Sequence, residues 1–476
     1  MLNYNMINTK IVATLGPASK DLKTVRQLIK GGMDVARLNF SHGTYKDHRD
    51  LILILRKAAK LEKKTIAIMQ DLQGPRIRVG IVAEEGIDLV RNKIVTLIFG
   101  AKESTSKDII PIDLPVVPEL EIGSSILIHD GIIDLKVEAV KGQDVKCRVL
   151  RGGIVFTHKG VNIPYTKINA PVITDKDRAD LKFGMQQGID WVAISFVGQA
   201  TDVKKLRKLI TRYDKTANIK IMSKIERPEA VNNIDKIINV SDGIMIARGD
   251  LGVEVSPQRV PIIQKDIIQR CMAVSKPVLV ATQMLDSMIK SQVPTRAEVS
   301  DVANAVIDHT DAVMLSGETA FGLYPVESIQ MMNKIIVETE MSPFDDRVDL
   351  LYPPKKDSHY RAVADTIFDL VRDSNAKAIV VLSRSGFSVQ LVASQRPHTK
   401  IIALVADDKI RNQLNMVWGV QAYKIAVKKN LDELISQAIS LVIKQKIVRK
   451  GQNVVFVSGQ PVGKSQHANM VEVYKI

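Results

Sequence analysis

Short apolar runs recur along the chain, and each is followed by a longer stretch whose apolar positions return every three or four residues. The runs fall at 10–15, 34–38, 65–69, 190–195, 219–222, 243–247, 277–281 and 311–315. The helical stretches fall at 22–30, 46–61, 176–187, 201–213, 228–239, 261–275, 296–308 and 325–340. A continuous apolar run of strand length predicts a strand covered on both faces, and its alternation with amphipathic helices predicts parallel pairing. Eight such units predict a (β/α)8 TIM barrel of the α/β class.

Polar residues then stand where the runs end. They are Thr14; Arg37, Asn39 and Ser41; Asp71; Lys224 and Glu226; Arg248 and Asp250; Thr282 and Gln283; and Ser316 and Glu318. Barrel active sites are built at the strand C-termini from several strands at once. The most informative pair is Lys224 and Glu226, two residues apart at the end of Ile219-Lys-Ile-Met-Ser-Lys-Ile-Glu226. Side chains at i and i+2 of a strand share a face. Two carboxylates, Glu226 and Asp250, beside an ammonium suit Mg²⁺ with a phosphorylated substrate. A lone Lys-x-Glu reads as a surface ion pair; repetition at the other strand ends makes a shared catalytic mouth the better account.

Between Asp71 and Asp190 the helical period disappears. Short alternating segments such as Ile133-Asp-Leu-Lys-Val and Val145-Lys-Cys-Arg-Val, punctuated by Gly and Asp, predict hairpins. The division is therefore 1–74 and 171–345 for the barrel, with a small β-barrel domain at 75–170 inserted after the third strand as a lid. A linker around Met341-Ser-Pro-Phe and Leu350-Leu-Tyr-Pro-Pro-Lys-Lys leads to an α/β domain at 346–476, with strands at 378–382, 400–404 and 453–457. Its loop Ser383-Arg384-Ser385-Gly386-Phe387-Ser388 joins a strand to a helix. Hydroxyls and free amides at a helix start can hold a phosphate, although spacing alone favours an ordinary capped turn.

Composition narrows the classes. Hydrophobic residues make up 45% and charged residues 25%, an ordinary globular balance. Two cysteines, Cys147 and Cys271, imply a reducing compartment and no zinc cluster. With no secretory pattern at the start and no membrane-length apolar stretch, the expectation is a cytoplasmic protein with no membrane partner. The net charge of +15 raises nucleic acid as a partner, but the basic residues are scattered and aromatics are only 4%. Stacking platforms are scarce, and anionic small substrates explain the charge better.

The motifs resemble the pyruvate kinase family over nearly the whole chain. They are Lys10-Ile-Val-Ala-Thr-Leu-Gly-Pro-Ala-Ser19, Val35-Ala-Arg-Leu-Asn-Phe-Ser-His-Gly43, Ser223-Lys-Ile-Glu226, Asp242-Gly-Ile-Met-Ile-Ala-Arg-Gly-Asp-Leu-Gly252, Ala281-Thr-Gln-Met-Leu285, Pro294-Thr-Arg-Ala-Glu298 and Leu315-Ser-Gly-Glu-Thr-Ala320. The resemblance implies transfer of the phosphoryl group of phosphoenolpyruvate to ADP, the last step of glycolysis, by a homotetramer with a regulatory C-terminal domain. It implies Mg²⁺, replaceable by Mn²⁺, on Glu226 and Asp250. Arg37 and Lys224 face the phosphoryl group, and Gly249, Asp250 and Thr282 hold the substrate carboxylate, with Thr282 and water on the proton route. Asn39, Phe40, Ser41, His42, Arg78 and Lys159 form the nucleotide side, and the 383–388 loop takes a phosphorylated effector.

One stretch departs from the family pattern. Potassium-requiring members read Asp-Thr-Lys-Gly-Pro-Glu where this chain reads Asp71-Leu-Gln-Gly-Pro-Arg76. Asn39, Ser41, Asp71 and the Leu72 carbonyl match the monovalent-cation ligands, but a guanidinium replaces the carboxylate. A permanent internal cation there predicts an enzyme that works without K⁺. Two rival readings are a phosphoenolpyruvate-utilising aldolase and a barrel that has lost catalysis. The insertion and the Thr282 motif speak against the first, and the intact Arg37, Lys224, Glu226, Asp250 and Thr282 against the second.

Overall fold

A computed structural model describes residues 7–166, 171–345, 351–352, 359–426, 430–460 and 468–476. Of the expected linker, Leu350 and residues 353–356 lie outside the described residues, as do residues 167–170 at the end of the insertion.

Eight parallel strands close into a barrel: β1 (Lys10–Leu15), β2 (Met33–Asn39), β3 (Ala67–Asp71), β4 (Trp191–Ile194), β5 (Lys220–Ile225), β6 (Gly243–Ala247), β7 (Val278–Ala281) and β8 (Ala312–Leu315). Alternate side chains turn inward, where Val12, Val35, Met69, Trp191, Met222, Met245, Leu279 and Met314 fill the interior. The others face the helices and form the larger core. Because both faces are covered, the strands read as continuous apolar runs. The third strand runs two residues further than its apolar run suggests, so Asp71 is itself a strand residue. The expected helix over 228–239 is two pieces, Pro228–Asn232 and Ile234–Val240, meeting at Asn233.

The inserted domain has its own core. Its main sheet has six strands, in the order Val161–Asn162, Ser125–Ile128, Ile133–Lys141, Asp144–Arg151, Ile94–Phe99 and Ile109–Ile112. Residues 77–81 join the two edges: Val79 exchanges backbone bonds with Lys159 and His158, Gly80 donates to the Pro111 carbonyl, Asp113 donates to the Arg78 carbonyl, and isolated bridges pair Arg78 with Gly160 and Val79 with Ile112. The expected small β-barrel is thus a six-stranded half-barrel sheet whose seam is closed by residues 77–81.

The C-terminal sheet has five strands, β9 (Ala378–Leu382), β10 (Lys400–Val405), β11 (Val420–Lys424), β12 (Asn453–Ser458) and β13 (Met470–Lys475), in the order 11-10-9-12-13. The sequence shows only the three central ones. Edge strands β11 and β13 are half exposed and lack a continuous apolar run. This domain packs on the N-terminal end of the barrel. Met416 enters the barrel interior, the Trp191 indole donates to the Gln413 carbonyl, and Arg396 pairs with Asp311 at 3.1 Å. The opposite end is therefore left to the inserted domain, which leaves the barrel directly after Asp71.

Candidate active site

The mouth is organised around one ammonium. Lys224, the penultimate residue of β5, places Nζ 2.8 Å from Glu226 Oε1 and 3.4 Å from Asp71 Oδ1. It donates to the Ser195 hydroxyl at 2.7 Å. Arg37, from β2, donates through Nε to Asp71 Oδ2 at 2.8 Å and through Nη1 to the Thr14 hydroxyl at 3.0 Å. Two cations and two carboxylates are thus packed together with little water. Burial works against the Lys224 charge, but Asp71, Glu226 and Asp250 outweigh it and hold its pKa above the ordinary lysine value. Burial also opposes ionisation of Asp71, yet Lys224 and Arg37 prevail and hold its carboxyl below the usual range. Glu226 is pushed up, first by burial and then by the Asp250 charge, although Lys224 pulls the other way.

The second side of the mouth comes from β6 and β7. The helix Arg248–Glu254 starts where β6 ends. Its Gly249 amide donates to Thr282 Oγ1 at 2.7 Å, and a Cβ at position 249 would stand 3.2 Å from that oxygen. Thr282 and Gln283 take φ of 70° and 55°. Left-handed backbone is costly for a β-branched residue, so the fold is holding this hydroxyl in place. Since Thr282 Oγ1 accepts from an amide, its proton is left to point elsewhere. The Asp250 carboxylate is partly open, and its nearest cation is Arg76 Nη2 at 3.9 Å.

The other strand ends are structural. Arg248 binds Asp301 at 2.7 Å and the Thr282 carbonyl at 2.9 Å. Glu318 accepts from the Leu285 and Ser316 amides. Thr14 donates to the Leu315 carbonyl and steadies Arg37.

Among the described residues no group of three or more His, Cys, Asp or Glu is arranged to hold a metal. Glu226 and Asp250 form a two-carboxylate set instead. Burial and, after it, the Asp250 charge raise Glu226, and a hard divalent cation held by the two carboxylates would offset both while leaving positions for substrate oxygens and water. These residues fit such an ion.

Comparison with known proteins agrees over both ends of the chain. Residues 6–329 match the family model for the pyruvate kinase barrel domain, and residues 361–474 match the pyruvate kinase alpha/beta domain. Pyruvate kinase of Geobacillus stearothermophilus is 41% identical over 473 residues, covering 98% of this chain and 80% of that one. Pyruvate kinase of Staphylococcus aureus strain MRSA252 is 39% identical over 478 residues, covering 99% of this chain and 81% of that one. The crystal structure of a pyruvate kinase from Cryptosporidium parvum superposes with a TM-score of 0.92 at 35% identity, covering 99% of this chain and 97% of that one.

The chain belongs to the pyruvate kinase family. It is a kinase that transfers the phosphoryl group of phosphoenolpyruvate to ADP, giving ATP and pyruvate, and the family needs a divalent metal for this. No helix among the described residues is long and apolar enough to cross a membrane.

On the expected nucleotide side of this pyruvate kinase, Phe40 is 3% exposed and stacks on His48 with centroids 4.0 Å apart. Its ring belongs to the core, its amide donates to the Asp71 carbonyl at 3.0 Å, and its carbonyl accepts from Lys176 at 2.6 Å. Burial first, then the charges of Arg78, Arg76 and Arg37, hold the His42 pKa below the usual histidine value. From the inserted domain, Arg78 donates to the His158 carbonyl at 2.9 Å and Lys159 lies 3.0 Å from the His129 ring.

Some of the potassium-site oxygens are already engaged. Asp71 Oδ2 accepts from Arg37, while Oδ1 lies 3.4 Å from Lys224 and accepts no hydrogen bond. The Leu72 carbonyl accepts the Ser195 hydroxyl at 2.8 Å, and Asn39 Oδ1 accepts the Ser41 amide at 3.1 Å. In the C-terminal loop, Ser383 and Ser385 accept from the Gly386 and Phe387 amides. Ser388 is buried and accepts from the Ala468 amide, so it faces away from any ligand at this turn.

Sequence reasoning placed strand β4 but missed the site groups just past its end. Ser195 braces Lys224, and the Phe196 amide donates to Glu226 Oε2 at 2.7 Å. Ser195 ends the apolar run at 190–195 and Phe196 follows it, and neither carries a charge to mark it. It also missed Asp130, which the inserted domain brings 3.9 Å from Arg76. The only signal there is His129-Asp130-Gly131, three successive residues with φ of 56°, 54° and 81°.

Proposed function

We propose that Lys224 and Arg37 hold the phosphoryl group in transit, and that Lys224 then steadies the enolate left behind. The observation that carries this reading is a buried ammonium anchored to Asp71, Glu226 and Ser195 beside a guanidinium anchored to the same Asp71. Phosphoryl transfer is governed by positioning and charge, and both cations are fixed before substrate arrives. Glu226 and Asp250 hold Mg²⁺, with Mn²⁺ able to replace it; bound there, the metal neutralises and orients substrate oxygens. The backbone at Gly249 and Asp250 and the Thr282 hydroxyl hold the substrate carboxylate. The Thr282 proton, free of the Gly249 contact, points to a route through this hydroxyl and water to the enolate carbon. ADP lies toward Asn39, the Phe40 backbone, Ser41, His42, Arg78 and Lys159. The enzyme is a cytoplasmic homotetramer in this reading.

The reaction runs without K⁺. Arg76 is about one-third exposed yet stands between Asp130 and Asp250, so a permanent charge already sits over the mouth. The Leu72 carbonyl and Asn39 Oδ1, already accepting from Ser195 and Ser41, support the same reading. Rates in K⁺ buffer and in tetramethylammonium buffer of equal ionic strength are expected to agree, and Arg76→Glu is expected to gain K⁺ dependence. A wild-type rate that collapses without K⁺ contradicts this.

A phosphorylated effector is proposed at Ser383, Arg384, Ser385, Gly386 and Phe387, with Ser388 withdrawn into the core. Ser385→Asp places a carboxylate at the turn and is expected to abolish any response of activity or melting temperature to sugar phosphates and nucleotide monophosphates. Wild-type protein that responds to none of them removes the claim.

A further inference from the structure

The chain leaves the barrel through residues 72–76 and is back on it at Thr174, the N-cap of the helix Asp175–Gln186. These two points meet at one side chain. Asp177 Oδ1 accepts from the Gly74 amide at 3.1 Å. Asp177 Oδ2 accepts from the Thr174 amide at 2.8 Å and from its hydroxyl at 2.6 Å. Asp177 is only 1% exposed.

The Thr174 contacts make a capping box of a kind also seen at Thr44 with Asp47. The Gly74 contact belongs to no cap, since it reaches across 103 residues of sequence to the outgoing connection. Gly74 has φ of +68°, and a Cβ there would come within 3.0 Å of the Phe196 ring and 3.1 Å of Ser195. Glycine is what lets the outgoing turn sit this close to the β4 end and still aim its amide at Asp177. The same turn carries Leu72, held by Ser195, and Arg76, which faces Asp130 and Asp250.

We propose that Asp177 is the pivot of the inserted domain, a positioning residue that ties both connections to one buried carboxylate so that the domain closes over the mouth as a single body. This rests on reading the insertion as a lid. Two chain segments bonded to one carboxylate on a packed helix turn about that point more easily than they slide past it. Closure matters because the phosphoryl group must reach ADP rather than water.

The test uses spin labels on cysteines placed at Ile122 of the inserted domain and Leu53 of the barrel, 79% and 57% exposed. Both native cysteines are buried. Distances are measured with and without saturating Mg²⁺, ADP and oxalate. Wild type is expected to shift to a narrow distribution. Asp177→Asn turns one acceptor into a donor, and it is expected to stay broad, with kcat down about 10–100-fold and more phosphate released per ATP formed. Thr174→Val is expected to be intermediate. Asp21→Ala, which uncaps the helix Leu22–Gly31, is expected to lower stability without changing the distribution, as a merely structural role would. If wild type fails to shift, the lid reading and the pivot both fall. If wild type shifts and Asp177→Asn shifts identically, the pivot alone falls. Should Asp177→Asn not fold, Thr174→Val decides, and a wild-type distribution there overturns the proposal.

Discussion

Lys224→Met is expected to leave a folded protein whose turnover is lowered by about 10²–10³-fold or more. Methionine keeps an unbranched chain in the slot and removes only the charge that meets the phosphoryl oxygens. The loss should appear in kcat, because the interaction strengthens as charge develops in the transition state. The change also leaves Glu226 without its cation, and its pKa, already raised by burial and by Asp250, rises further. A carboxyl whose folded pKa lies above its unfolded value contributes stability below the unfolded pKa and loses it as pH rises through the folded one. The variant should therefore lose melting temperature relative to wild type as pH is raised from the ordinary carboxylate range toward neutrality. Steady-state kinetics, far-UV circular dichroism and thermal melts at several pH values check both parts. A variant keeping half its activity contradicts the role given to Lys224.

The second large effect concerns the two carboxylates. Glu226→Gln and Asp250→Asn each remove a formal charge from a hard-cation site, and each should raise the Mg²⁺ concentration for half activity at least ~10-fold. Glu226→Gln should also stabilise the metal-free protein toward alkaline pH, because it removes a buried group whose ionised form is disfavoured. Asp250 is partly open to solvent, so Asp250→Asn should change the metal requirement with little change in stability. Activity titrated with Mg²⁺ decides the matter. Unchanged curves in both variants would show that the metal is held elsewhere.

Much of this was legible in the sequence for physical reasons. A parallel strand buried on both faces must be continuously apolar, so the barrel strands announce themselves. A catalytic mouth at the strand ends puts charges such as Lys224 and Glu226 where a core residue would be costly. What stayed hidden lacks either signal. Strands β11 and β13 are half-exposed edges. Ser195 and Phe196 act through a hydroxyl and an amide that no hydrophobicity pattern separates from the run around them. Arg248 and Glu318 show the converse: charged residues at strand ends that the fold spends on Asp301 and on backbone amides. Sequence position gives the mouth but not which of its groups remain free to act. The small β-barrel was read from its alternating segments, although its seam is closed by backbone contacts of residues 77–81 that carry no strand pattern.

Phosphorus NMR of a mixture of phosphoenolpyruvate, ADP and Mg²⁺, followed after adding wild-type enzyme and then Lys224→Met, tests the central claim most directly. The account predicts that the phosphoenolpyruvate signal is replaced by the ATP signals with wild type, in tetramethylammonium as well as K⁺ buffer, and persists with the variant. Inorganic phosphate in place of ATP, or equal conversion by the variant, would contradict it.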